Sequence, residues 1–419
     1  MKNKYIIILF SILLFPSINS AGINLIPHYT TSTNNPVLSL PNAGVSNYNI
    51  TQSVTYQVEL TFNLTHRSSS GNYYFKFARL NNRVPSSAIT KYTPPYQEST
   101  LLSTSISGNI PGETRLDYND KFNNTYDSFN SSLLPDDSIT FFQNYTVKLN
   151  AITFQEIDDA DIGTYDLSDD MFSLYCNKSE QYYERNETSL INLSNSIVDP
   201  GDNLVEKAKK ICDWVANNIA YNGLLPPQEK GALWAYNNLQ GDCSEYSSLM
   251  ITLLRIQGIP ARKVTGFLIS NNPGTRPAIG NIWTFNSNEV SSDILGHAWV
   301  EYYIPDIGWI ACDPTWHRTV NYFNRIDFLR FNLNIGAHFF FPPSFTVSEF
   351  SNPIIGFGPG ADYDYDYEIK ITVLETDLIP LSEFPIYITI FIVVGFLAVI
   401  GLAFLLFTRG RKKVIESYD

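Results

Sequence analysis

Apolar residues change their spacing once along this chain, and that change limits the fold to two unlike halves. From about Tyr48 to Phe154 they alternate with polar residues, as in Val54 to Phe62, Tyr73 to Phe77 and Tyr145 to Phe154, which is the period of a half-buried strand. Ser70-Gly71-Asn72 and Pro135-Asp136-Asp137 supply turns between such runs. After Pro200-Gly201-Asp202 the period becomes helical: Leu204, Ala208, Ile211, Val215 and Ile219 recur behind Asn203 or Asp202 as the cap. The expected fold is α+β, with a β-sandwich-like domain over residues 21–160, a loop-rich acidic linker over 161–199 and a helix-and-strand domain over 200–345. A chain of 419 residues with 44% hydrophobic and 14% aromatic side chains can fill two cores.

The two ends predict export. Lys2 and Lys4 precede an apolar run from Tyr5 to Phe15, and Ser17, Ser20 and Ala21 supply small residues for cleavage, so residues 1–20 read as a signal peptide. Near the other end, Pro385 to Phe407 carries no charge and would form a helix of about 35 Å, long enough to span a bilayer. Arg409, Arg411, Lys412 and Lys413 follow it, and basic residues beside a span stay on the cytoplasmic side. The expected layout is a single-pass type I protein of the cell membrane: a juxtamembrane β or stalk segment over 346–383, one transmembrane helix over 384–407 and a basic tail over 408–419. Glycan acceptor sequences at Asn49, Asn63, Asn123, Asn130, Asn144, Asn177, Asn186 and Asn192 agree with an extracellular glycoprotein. The run Asp362-Tyr363-Asp364-Tyr365-Asp366-Tyr367-Glu368 reads as a solvated acidic stalk, because no glycine turn at ligand spacing would make it a calcium site.

A net charge of −13 with only 28 Lys and Arg excludes a nucleic-acid partner, which would require a basic face. The histidines at 28, 66, 297, 317 and 338 show no ligand spacing with cysteine, so no metal or cofactor is called for, with His317 and His338 kept as neighbours of the site below. There are 4 cysteines, at 176, 212, 243 and 312. An exported nucleophilic cysteine must stay unpaired, which leaves room for at most one bridge among Cys176, Cys212 and Cys312, and spacing does not choose it.

The candidate chemistry starts at Gly241-Asp242-Cys243-Ser244-Glu245. Asp242 and Glu245 form a capping-box pattern ahead of the helical stripe Tyr246, Leu249, Met250, Leu253 and Ile256, with Gly258 and Pro260 as a stop. Cys243 then lies in the first helical turn, where free N–H groups and the helix dipole favour thiolate, Asp242 opposes it, and a protonated histidine would tip the balance. His297 opens the strand pattern His297-Ala298-Trp299-Val300-Glu301-Tyr302-Tyr303, and Trp309 to Asp313 follows the turn Pro305-Asp306-Ile307-Gly308. An odd loop, with Gly308 in a left-handed bulge, sets Tyr303 opposite Trp309 and puts His297 and Asp313 on one face as diagonal neighbours. An even loop would separate them. Cysteine, histidine and carboxylate are then nucleophile, base and orienter.

These residues, together with Leu254-Arg255-Ile256-Gln257-Gly258-Ile259-Pro260-Ala261-Arg262, Val264, Gly266, Gly296, Gly308-Trp309 and Asp313-Pro314-Thr315-Trp316, resemble the transglutaminase-like superfamily, which shares its core with papain-like cysteine peptidases. The resemblance covers roughly residues 200 to 320. It implies catalytic roles for Cys243, His297 and Asp313 in an enzyme acting on protein or peptide amide bonds through a thioester, resolved by water or an amine; an oxyanion hole would use the Cys243 N–H and one side-chain donor that the sequence does not place, with Tyr221, Trp234 and Gln240 as candidates. The contrasting expectation is an idle scaffold in a surface binding or adhesion protein.

Overall fold

The alternation at the start of the chain becomes six antiparallel strands in the computed structural model, which describes residues 47–80, 82–83, 94–108, 114–225, 229–289, 292–336, 354–358 and 361–378. They are β1 (Tyr48–His66), β2 (Gly71–Ala78), β3 (Gln97–Gly108), β4 (Thr114–Asn119), β5 (Thr125–Leu133) and β6 (Ser138–Phe154). Period-2 patterning is literal in β1, where Val54, Tyr56, Val58, Leu60, Phe62 and Leu64 are buried and the residues between them are not. The chain continues through α1 (Asp170–Tyr175), α2 (Thr188–Ile197), α3 (Leu204–Asn218), β7 (Ala220–Tyr221), α4 (Ala232–Asn238), β8 (Gln240–Gly241) and α5 (Cys243–Ile256). It ends in β9 (Ala261–Leu268), β10 (Ile282–Asn286), β11 (Leu295–Ile304), β12 (Gly308–Cys312), α6 (Pro314–His317), β13 (Arg325–Ile326), β14 (Arg330–Ile335), β15 (Ile354–Phe357) and β16 (Tyr363–Thr376).

Two sheets face each other as a sandwich. One has the order β10-β16-β1-β6-β13, with β3 also paired to β6, and the other β15-β2-β5-β4. Their shared interior is aromatic: Phe77 stacks on Phe141 with centroids 3.8 Å apart, and Phe75 on Phe129 at 4.9 Å. A third sheet, β12-β11-β9-β14, carries α5 across β9 and β11, and α2, α3 and α4 pack around that helix. Every residue of α5 from Cys243 to Arg255 is buried. A central helix covered on all sides tolerates no charged face, which is why its polar members are mainly serine and threonine.

Three expectations change. The solvated stalk at 362–368 is instead the start of β16, an inner strand paired with both β1 and β10. Its buried positions Tyr367, Ile369, Ile371 and Val373 share one face, while Asp364 on the other face holds Arg67 at 2.7 Å. The stretch 161–199 is not a loop-rich linker, because α1 and α2 bury Met171, Phe172, Tyr175 and Leu190, and Tyr183 between them is buried too. Nor does the sandwich end at residue 160, since β10, β13, β15 and β16 all join its sheets. Arg83 bonds Glu301 at 2.6 Å, and Gln97 exchanges two hydrogen bonds with the Asn332 backbone at 2.8 and 3.0 Å, so the two halves are tied by buried polar contacts. The expected signal peptide and the Pro385 to Phe407 segment lie outside the described residues. Among the described residues no helix is long and apolar enough to cross a membrane.

Candidate active site

Asp242 caps α5: its carboxylate accepts the Ser244 N–H at 2.8 Å, and Glu245 returns a bond to the Asp242 N–H at 3.1 Å. The capping box places Cys243 as the first helical residue, 8% exposed. The Ala298 backbone N–H reaches the Cys243 sulfur, and Ala298 is the next residue after His297 on β11.

The hairpin loop is odd. Ile304 pairs with Gly308, Tyr303 with Trp309 and Val300 with Cys312, while Gly308 adopts φ 110°, a left-handed value that a side chain would strain. One more step along this register places Asp313 opposite Trp299 and on the face of His297. The side chains meet: His297 Nε2 lies 2.7 Å from Asp313 Oδ2, both buried. Asp313 also caps α6 through the Thr315 N–H at 3.1 Å. On its other side Arg330 of β14 donates from Nε at 3.1 Å and Nη2 at 2.8 Å to the same Oδ2. Burial alone would push the Asp313 carboxyl up, but His297 and Arg330 outweigh it and bring it down to about 2. It is a fixed negative charge beside the imidazole.

Cys243 departs from expectation. Burial, followed by the Asp242 charge, pushes its thiol well above the ordinary value, against the Ala298 N–H and the Lys263 charge, which favour thiolate. The helix start does not overcome the loss of water. Lys263 is itself held by Glu229 at 2.6 Å and the Ser248 hydroxyl at 2.9 Å.

The three oxyanion-donor candidates part company. Tyr221 lies opposite Gly241 in the short parallel pair β7–β8, is 61% exposed, and has its hydroxyl raised to about 12 by burial of part of the ring and by the Cys243 and Asp242 charges. Gln240 has its amide oxygen bonded by Asn222 at 3.0 Å, and Trp234 carries the Lys230 ammonium over its ring at 5.6 Å. His317 is bound to Asp213 at 2.7 Å, and His338 lies outside the described residues. Among the described residues no group of three or more His, Cys, Asp or Glu could hold a metal ion.

Three further motif residues have structural work. Arg262 and Glu301 are cross-strand partners, and the Glu301 carboxylate takes Arg262 at 2.8 Å and Arg83 at 2.6 Å. Gly266 lies opposite His297, where a Cβ would come 1.8 Å from the Phe331 carbonyl oxygen, so only glycine lets β14 approach β9. Sequence reasoning missed Arg330. The signal was there: one arginine inside the apolar run Phe328-Leu329-Arg330-Phe331 must find a counter-charge if that strand is buried.

A cysteine at a capped helix start thus packs on the antiparallel sheet that presents the bonded histidine–aspartate pair. Residues 191–314 match the Transglutaminase-like superfamily, so the chain carries a domain of that superfamily. Uncharacterized protein YebA of Bacillus subtilis (strain 168) is 30% identical over 120 residues, 27% of this chain and 16% of that protein. A protein-glutamine gamma-glutamyltransferase of Pseudomonas aeruginosa is 35% identical over 81 residues, 19% of this chain and 11% of that protein. The chain thus matches under a fifth of the length of either curated relative. In fold, it is similar to a crystal structure of a candidate cysteine protease from Cytophaga hutchinsonii, with TM-score 0.51 and 19% identity over 80% of this chain and 95% of that one.

Proposed function

We propose that this chain is a membrane-anchored, extracytoplasmic cysteine enzyme that acts on protein or peptide amide bonds through a thioester. The observation that carries the reading is the 2.7 Å His297–Asp313 bond on the strand whose next N–H meets the Cys243 sulfur. Because Nε2 of His297 is committed to Asp313, Nδ1 is the nitrogen left to exchange a proton with sulfur. The raised thiol means that the reaction starts from neutral Cys243. Imidazole takes the S–H proton as sulfur attacks the amide carbon, the ionised Asp313 stabilises the imidazolium, and the proton then passes to the departing amine. The Cys243 N–H supports the oxyanion, and the exposed Tyr221 hydroxyl is the candidate second donor. Water then releases the acyl group. We favour hydrolysis over cross-linking because an acceptor amine would need its own binding feature.

The extracytoplasmic part of the reading rests on the two apolar ends, the basic flank after Phe407, and the acceptor asparagines, none of which is buried. Incubating the full chain with a peptide library and reading products by mass spectrometry tests the activity. Cleavage, deamidation and amine incorporation each name a different reaction, and products unchanged in Cys243→Ala would sink the assignment. One observation favours the contrasting reading of an idle scaffold: the thiol is raised rather than depressed. Equal labelling of wild type and Cys243→Ala by an acylating substrate-like probe would support it.

A further inference from the structure

Two sulfurs with no part in the chemistry above lie against each other. Cys212 faces inward from α3 and Cys312 ends β12, both fully buried, and their Sγ atoms are 3.2 Å apart. A disulfide requires about 2.05 Å, so closure takes roughly 1 Å of movement, within what small side-chain rotations supply. The other two cysteines are placed differently. Cys176 lies beside the Arg255 carbonyl at 3.8 Å, and Cys243 has the Ala298 N–H.

We propose that Cys212 and Cys312 close into a disulfide when this chain folds in an oxidising compartment, while Cys176 and Cys243 remain thiols. The oxidant is a small disulfide or a dithiol–disulfide oxidoreductase. One cysteine thiolate attacks the donor disulfide and expels a thiol; the second cysteine then displaces the donor's other sulfur, so the pair loses two protons and two electrons and the donor is reduced to its dithiol state. Complete burial sets the order of events: exchange precedes docking of α3 on β12, and reductant reaches the finished bond only as the fold opens on heating. The closed loop contains Cys243 and His297 and ends one residue before Asp313, so the bridge fastens α3 to the strand that delivers the carboxylate. It also leaves the nucleophile free, as an exported cysteine enzyme requires.

The test uses the full-length chain in mild detergent, secreted from a host into an oxidising compartment and, separately, refolded from denaturant in a glutathione redox buffer. Alkylation under denaturing conditions without reductant, followed by digestion, should yield a linked peptide pair containing Cys212 and Cys312, with Cys176 and Cys243 alkylated. Reductant should lower the thermal midpoint of the secreted wild type by roughly 5–10 °C and leave Cys212→Ala/Cys312→Ala unmoved. Alkylation of all four cysteines in secreted chain that melts cooperatively, or a bridge to Cys176 or Cys243, would overturn the proposal, as would a wild-type midpoint indifferent to reductant. Neither readout involves turnover, so loss of the bridge and loss of the enzyme reading are separately visible.

Discussion

Replacing Asp313 by asparagine keeps the size of the side chain and removes its charge. The amide oxygen can take the Oδ2 position, where it still meets His297, Arg330 Nε and Arg330 Nη2, but the amide nitrogen then faces the Thr315 N–H and the α6 cap is lost. The electrostatic cost follows from the carboxyl's titration. Its native value of about 2, against roughly 3.9 in an unfolded chain, corresponds to about 2 units, or on the order of 2–3 kcal/mol of stability. The native value is depressed, so this contribution is present above about pH 4 and is lost as pH falls from there through about 2. Urea unfolding of wild type and Asp313→Asn should therefore differ by about 2–3 kcal/mol at pH 7 and converge near pH 2. The loss stays below that of a stripped buried ion pair because Asp327 still holds Arg330 Nη1 at 2.6 Å. Turnover should fall on the order of 10⁴-fold, because the imidazolium formed as sulfur attacks loses its counter-charge and its fixed tautomer. Equal stability of the two proteins at pH 7 would refute the charged native carboxylate, and turnover within tenfold of wild type would refute its role as orienter.

Three other perturbations probe neighbouring points. Asp242→Asn keeps a capping side chain but removes the charge that helps hold Cys243 protonated, so iodoacetamide alkylation of Cys243 at pH 8 should quicken roughly 3–10-fold; an unchanged rate would count against that cause. Gly266→Ala forces a methyl to within 1.8 Å of a backbone oxygen and should cost about 3 kcal/mol or more in urea unfolding through loss of β9–β14 pairing; a variant with the wild-type midpoint would show that β14 is placed elsewhere. Burial raises the Glu245 carboxyl to about 7, so the native state holds its proton where the unfolded chain has released it, and stability should fall as pH rises from about 4.3 to about 7. Flat stability across that window, or a slope that Glu245→Gln leaves intact, would contradict it.

What was legible in the sequence was whatever short-range rules decide. The cap at Asn203 or Asp202 and the capping box at Asp242–Glu245 mark the starts of α3 and α5 because such signals lie within one helical turn, and the structure selects Asn203. The consequence of the hairpin's parity was legible, an odd loop joining His297 and Asp313 and an even one parting them, but the parity itself came from the structure. Long-range placement was not. The Asp-Tyr run was read by composition as a stalk, although its tyrosines alternate as a strand requires, since nothing local says that β1, some 300 residues earlier, leaves an unpaired edge there. The height of the Cys243 thiol was missed for a related reason: a helix start and an aspartate are visible in sequence, but the depth to which the helix is buried is not.

β16 also sets a timetable. The last described strand supplies the inner rung between β1 and β10, and the sandwich it completes braces the site half, with the Tyr56 hydroxyl holding the Phe328 carbonyl at 2.8 Å just before Arg330. Cys243, His297 and Asp313 all precede in sequence the rung that steadies the arginine behind them. Pairing across so long a separation is slow and comes late. The brace behind Arg330 is therefore among the last parts of the described fold to form.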